Sequence, residues 1–307
     1  FQMIPRQVFR SIYTNYLVCY SAKKTLLSKL RKKTGYTFVN CKKALELHDN
    51  DIEKAEVWLH EQAQSQGWTQ AAKLQSRITS QGLIAIVTNN NYGALAEINC
   101  ETDFVARNKR FHDLAEIVLS TVLQHGMTFK ETAPVNKTML FPESLNSLVA
   151  NDGKSLIDHC ALTIGTVGEN INIRRALCMS VQPGVHLYGC THPSPVNPVP
   201  TSFGRYGALV ALKSKERTPV LGMQLCQHII GMNPVKIGDL SVDEPNDDVD
   251  EESVMLYQDF LLDSSMSVQQ LLQAEETEVI DFARFEMGEI LESETEKQPL
   301  DSVETCG

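Results

Sequence analysis

Between Asn99 and Asn108 the chain reads NCETDFVARN, and here its residue types first suggest chemistry. An alternating apolar run (Tyr92, Ala94, Leu95, Ala96, Ile98) precedes this stretch, and a helix-period run (Phe111, Leu114, Ile117, Val118, Thr121, Val122) follows it. The stretch therefore reads as a strand-to-helix turn carrying Thr102, Asp103, Phe104 and Val105. Two readings stand. Thr102 or Asp103 caps the helix while Phe104 packs inward, or Phe104 projects as an apolar wedge, with Asp103 as its polar guide, into another protein. Periodicity does not choose between them.

Other chemistries find less support. Gly153-Lys154-Ser155 invites a phosphate-loop reading, but the earlier glycine of that motif would fall on Leu148, so the backbone cradle is missing. None of the eight histidines forms an H-E-x-x-H pair, and His112 and His125 fall on a helix pattern where packing is the default role. The eight cysteines (Cys19, Cys41, Cys100, Cys160, Cys178, Cys190, Cys226, Cys306) include no C-x-x-C pair. Scattered in this way they read as free thiols of a reducing compartment, not as a disulfide frame or zinc site.

Three separated stretches, in order, carry a family resemblance: LRKKTGYTFVNCKKAL from Leu30 to Leu45, YGALAEINCETDFVARN from Tyr92 to Asn108, and VGENINIRRAL from Val167 to Leu177. The chain resembles the translation elongation factor Ts family, its mitochondrial branch most of all, over about Lys24 to Glu289. The resemblance implies a guanine-nucleotide exchange factor for mitochondrial elongation factor Tu, with no cofactor, metal or catalytic site of its own. In that mechanism the segment Thr102, Asp103, Phe104 and Val105 inserts near the helices around Tu's Mg²⁺ and nucleotide. Phe104 enters an apolar gap, Asp103 hydrogen-bonds at its edge, and GDP is weakened. Phe38 and Val39 fall where the family places apolar contacts; Phe38 is the stronger candidate, since Val39 also suits a core position. His192 lies in Tyr188-Gly189-Cys190-Thr191-His192, roughly where the family has a Tyr-x-x-His contact. Pro193 follows it where the family commonly has glycine, so partner contact and incidental loop histidine both stand.

Composition bounds these expectations. The chain of 307 residues can hold two or three compact units, and no apolar run approaches the roughly 18 residues of a membrane span. The net charge of −10 hides an asymmetry: residues 1–45 carry ten basic and no acidic residues, whereas residues 239–307 carry two basic and 21 acidic. An acidic chain is a poor candidate for tight nucleic-acid binding through phosphate neutralisation, and the basic stretch reads as a solvated face. Residues 1–22, with Arg6 and Arg10 and no acid, read either as a disordered basic tail or as a mitochondrial transit peptide. The family resemblance favours the transit peptide and, with it, the mitochondrial matrix.

The positioning elements follow. Residues 23–66 read as three short helices: one with Leu26, Leu27 and Leu30 ending at Gly35, one from Phe38 to Leu47, and one capped by Asp49 or Asn50 with Ile52, Ala55, Trp58 and Leu59 inward. They resemble the ubiquitin-associated fold, which leaves a ubiquitin-type adaptor as the competing function. Residues 67–80, polar with small residues, read as a linker, with a helical linker left open. Residues 81–181 and 182–288 then read as two related α+β subdomains with antiparallel sheets, since YGAL at Tyr92 recurs at Tyr206 and each copy leads into a helical run. The second copy has Ser214-Lys215-Glu216-Arg217 at its turn and no Asp-Phe pair, so the connection itself does not require the wedge. Residues 127–150 read as a loop, Lys154–Thr166 as a helix and Asn170–Val181 as a strand. The prolines between 193 and 200 mark a loop that breaks the sheet, and residues 241–253 an acidic linker. Asp263 or Ser264 caps a last helix, a strand runs from Val279 to Met287, and an acidic tail occupies 289–307. Bacterial members of the family carry a helical hairpin that pairs some of them into two-plus-two complexes. The short, acidic interval from Met232 to Asp259 has no apolar stripe for one, so a one-to-one heterodimer with Tu and a free monomer are expected.

Overall fold

The computed structural model describes residues 26–89, 91–129, 133–195 and 199–291. The expected transit peptide, and all but the first three residues of the acidic tail, lie outside the described residues. Helices and antiparallel sheets alternate along the chain in a mixed α+β architecture.

Three helices come first: α1 (residues 26–34), α2 (Phe38–Leu47) and α3 (Ile52–Leu74). Gly35, at φ 74°, ends α1, and the Thr37 hydroxyl caps α2 by accepting from the Asn40 N–H. Leu30, Tyr36, Cys41, Ala44, Leu45, Ala55, Leu59 and Ala63 form their core. Asp51, not Asp49 or Asn50, caps α3; those two residues take φ values of 52° and 65° to reverse the chain, which leaves the cap to the next acid. The linker at 67–80 takes the helical form left open for it as far as Leu74, where α3 ends. Gly67 is no breaker here: a Cβ on it would lie 2.6 Å from the Ala161 carbonyl oxygen, so it marks the close crossing of α3 over the helix that carries Ala161.

The first sheet has the order β3-β4-β2-β1-β6, and the second β10-β7-β5. The strands are β1 (Gln81–Asn89), β2 (Tyr92–Cys100), β3 (Val135–Leu140), β4 (Ile171–Val181), β5 (Val185–His192), β6 (Thr201–Gly204), β7 (Tyr206–Lys213), a small pair β8 (Asp259–Phe260) and β9 (Asp263–Ser267), and β10 (Glu278–Glu286). The intervening helices are α4 (Asp103–Ala106), α5 (Lys109–Gly126), α6 (Pro142–Leu145), α7 (Leu156–Val167), α8 (Pro219–Met232) and α9 (Val268–Ala274). Strand alternation sorts the side chains into layers. Ala94, Ala96 and Ile98 of β2 face α5 and α7, whereas Leu95 faces the second sheet. In β7, Ala208, Val210 and Leu212 face α8 and α9, whereas Leu209 and Ala211 face the first sheet.

Three further expectations are corrected. Residues 127–150 contain β3 and α6; β3 has little apolar period because it is an edge strand, held by its pairing along β4. The prolines do interrupt the sheet as expected, β5 ending at His192, and at Thr201 the chain enters the first sheet as β6, paired with β1. The last helix is capped by Ser267, in a capping box with Gln270, because Asp263–Ser267 is strand. The stretch 241–253 is folded: Glu252 accepts from the N–H groups of Asn246 and Val254, and the Tyr257 hydroxyl donates to the Asp243 carbonyl.

Glu289, expected to open the tail, belongs to the fold together with Gly288. Buried Glu97 of β2 accepts from Arg174 Nη1 at 2.9 Å, Arg175 Nε at 2.7 Å and the Gly288 N–H at 2.8 Å. Arg175 continues to the Glu289 carboxylate at 2.6 Å, with its guanidinium 3.9 Å from the Phe285 ring centre. Removing one partner of a buried ion pair costs about 3–5 kcal/mol. A chain ending at Glu289 is expected to melt with the full chain, whereas one ending at Glu286 melts well below it, as thermal denaturation followed by circular dichroism will read.

Candidate partner-binding surface

β2 runs straight into the turn, and local chemistry decides which side chains can leave it. Thr102 caps α4, its hydroxyl accepting from the Val105 N–H at 3.4 Å. The same residue is tied to Glu169, which accepts from the Thr102 N–H at 3.0 Å and from its hydroxyl at 2.7 Å. Val105 is buried in the core under α5 and α7. Phe104, between them, is 82% exposed, and Asp103 is half exposed in an ion pair with Arg107 at 3.1 Å. The two readings of the turn are thus divided among its residues: Thr102 caps, Val105 packs, and Phe104 with Asp103 projects. On the next turn the Nε2–H of His112 donates to the Ala106 carbonyl at 2.9 Å, while its ring stacks on Phe203 of β6 at 4.6 Å.

The three-helix module abuts this turn. Asn108 Nδ2 donates to the Gly35 carbonyl, and Arg110 Nε donates to the Thr34 carbonyl at 2.8 Å. Gly168 at the end of α7 approaches the Thr37 methyl group, where an added Cβ would lie at 3.1 Å. Phe38 and Val39, the first residues of α2, follow this docked turn directly and are 54% and 71% exposed. Val39 is therefore not a core residue. Phe38 lines a groove of about 670 Å³ with Leu27, Ser28, Arg31 and Lys32.

His192 stands apart. It ends β5 and is exposed, its carbonyl accepting from the Arg205 N–H at 2.8 Å. It opens onto a groove of about 580 Å³ with Tyr206, Ile230, Leu261, Leu262 and Arg284, which neither Phe38 nor the Thr102–Val105 segment lines. Tyr188 is core, its hydroxyl accepting from the Thr218 N–H at 2.8 Å.

Sequence reasoning missed Glu169, Asn108 and Arg110. All three lie inside or beside the stretches that carry the resemblance, but a carboxylate that reaches a turn 67 residues away leaves no periodic signal. The Lys154-Ser155 pair proves structural, with Ser155 capping α7 in a capping box with Asp158. Among the described residues no group of three His, Cys, Asp or Glu side chains is placed to hold a metal ion. The six described cysteines are free and buried, and burial pushes the Cys100 and Cys160 thiols up to about 12 and Cys178 to about 11.

Phe104, Phe38 and Val39 are thus apolar side chains held outward beside turns that are themselves pinned to the body. The family model for elongation factor Ts, mitochondrial, N-terminal matches residues 9–69, and that for elongation factor TS matches residues 101–248. Mitochondrial elongation factor Ts of Aedes aegypti is 47% identical over 281 residues, covering 90% of this chain and 92% of its own. The Drosophila melanogaster protein of that name is 43% identical (89% and 88% covered), and the human one 42% (88% and 84%). The chain belongs to the elongation factor Ts family.

Substituting the neighbours in the turn separates their roles. Phe104→Ala is expected to change stability by no more than about 0.5 kcal/mol, as surface substitutions do. Val105→Ala is expected to cost about 2 kcal/mol through the cavity it leaves. Urea denaturation of both variants measures the contrast; equal losses would make Phe104 a core residue.

Proposed function

We propose that the chain is a guanine-nucleotide exchange factor for elongation factor Tu in the mitochondrial matrix, working by mechanical displacement and without a catalytic site. The observation that carries the reading is Phe104, 82% exposed on a turn held by Thr102 on one side of it and Val105 on the other. In this mechanism the partner receives Phe104 in an apolar gap between helices of its nucleotide-binding domain. Asp103 exchanges its ion pair with Arg107 for a contact at the rim of that gap. The displaced helices loosen the partner's Mg²⁺ and GDP. Linkage makes this reciprocal: bound GDP weakens the factor's hold on the partner by the factor by which the factor weakens GDP. Burying one Phe side chain contributes about 1.5–3 kcal/mol, and about 1.4 kcal/mol is tenfold in affinity. A single wedge can therefore supply roughly 10- to 100-fold of coupling.

The three-helix module supports this reading more than an independent ubiquitin-type adaptor. Its Gly35–Thr37 turn docks beside the Phe104 turn, which favours one contact surface over two. His192 supplies a second, separate contact on the same partner.

Release of a fluorescent GDP from mitochondrial Tu, followed by stopped flow, tests the proposal. Phe104→Ala is expected to lose most of the acceleration, and Asp103→Asn less, since one polar contact is worth about 1 kcal/mol. Acceleration by Phe104→Ala equal to that of the unaltered chain would refute the wedge.

Stoichiometry follows from the interval after α8. Among the described residues 233–258 the only helical element is a 3₁₀ turn, Val249–Glu251. With no paired hairpin to bring copies together, a one-to-one heterodimer and a free monomer are expected. Light scattering of the purified complex decides it, and a mass near two copies of each chain would contradict it.

A further inference from the structure

Phe104 is presented by α4, a helix of four residues that has almost no stability of its own. Its orientation must come from what holds its first residues. Two carboxylates do this crosswise. The Glu101 carboxylate accepts from the Asn170 N–H at 2.7 Å, and the Glu169 carboxylate accepts from both the N–H and the hydroxyl of Thr102. The two acids are not equivalent. Glu101 also pairs with Arg77 at 3.4 Å and ties down the strand exit. Glu169 spends both its oxygens on Thr102. By accepting the hydroxyl's hydrogen bond it leaves an oxygen lone pair aimed at the Val105 N–H, which is the cap of α4. Without Glu169 the hydroxyl is free to rotate, the Thr102 N–H has no acceptor, and the cap loses its orientation.

We propose that Glu169 is a positioning residue for nucleotide exchange, holding α4 through Thr102 so that Phe104 meets its partner already aimed. The inference rests on Phe104 being the exchange element. Glu169 touches neither nucleotide nor Mg²⁺ in this scheme; it acts through Thr102 alone. The role predicts a split in the kinetics. Phe38 and the module still bring the two proteins together, so loss of Glu169 lowers the exchange rate at saturation more than it raises the concentration for half-saturation.

The test uses the full chain with Glu169→Ala, Thr102→Val and the conservative Thr102→Ser. Amide hydrogen exchange of the free protein is expected to quicken roughly tenfold or more over residues 100–107 in Glu169→Ala, which removes both charge-assisted hydrogen bonds to Thr102. Exchange over residues 109–126 and the melting temperature stay near those of the unaltered chain. GDP release at saturation falls roughly tenfold in Glu169→Ala and Thr102→Val but stays within about twofold in Thr102→Ser. In a Phe104→Ala background, Glu169→Ala adds no further loss, because both act through one side chain. Release by Glu169→Ala at the unaltered rate, an additive loss in the Phe104→Ala background, or loss of melting temperature in step with loss of rate would each overturn the proposal. Full activity of Phe104→Ala would overturn the parent reading and this one with it. Full activity of Glu169→Ala beside an inactive Phe104→Ala would overturn this one alone.

Discussion

Leu95 of the first sheet reaches over Gly207 of the second, and Leu209 of the second reaches over Gly93 of the first. A Cβ on Gly207 would lie 3.0 Å from Leu95 Cδ1 and 2.7 Å from Ile84 Cγ2; one on Gly93 would lie 2.7 Å from Leu187 Cδ2 and 3.3 Å from Leu209 Cδ2. The two YGAL segments thus supply each other's knob and hole, and a side chain at either glycine would force the facing leucine and isoleucine side chains to shift. This contact sets the phase of both central strands. With Leu95 committed to the sheet interface, alternation sends Ala94, Ala96 and Ile98 to the opposite face, where α5 and α7 cover them. The exit of β2, and so the Phe104 turn, lies where that phase puts it.

From this point rigidity is passed outward by short contacts. Glu97, on the face of β2 that Leu95 occupies, closes one end of the interface through Arg175 and the Gly288 N–H. At the other face α3 and α7 cross with Gly67 and Gly165 at the approach, where a Cβ on Gly165 would lie 3.1 Å from the Ala63 carbonyl oxygen. The extension of α3 beyond the three-helix module is what makes that crossing. It fixes the module that carries Phe38 to the body that carries Phe104. A flexible linker at 67–80 would have left the two contacts free to move independently.

The legible parts of the chain were those with a period or a recognisable motif. β2, α5, β4, β7 and α8 each carry an apolar pattern, and their bounds came out within a few residues. The elements that were not legible take their stability from pairing instead. β3 and β6 are edge strands whose residues alone do not distinguish them from loops, and β6 crosses to the first sheet. The crossing at Gly67 was not legible, because a glycine in a polar stretch looks the same whether it breaks a helix or lets one cross. At the site, Phe104 was legible through resemblance and through its absence from the second copy of the turn. The division of labour among Thr102, Phe104 and Val105 was not, since it depends on Glu169.

An exposed Phe is a retained source of binding energy. Phe104 contributes nothing to folding, so its burial, about 1.5–3 kcal/mol, is available when a partner covers it. A loop that had to be ordered at that moment would lose about 1–2 kcal/mol per residue to backbone entropy. Four such residues, Thr102 to Val105, would consume more than the wedge supplies. Here that ordering is already done during folding, by Val105 in the core and Thr102 on Glu169. Under the proposed function, nearly all the burial energy of Phe104 can then be spent on displacing the partner's helices. That is why the braced turn, and not the aromatic residue alone, makes an exchange mechanism energetically feasible.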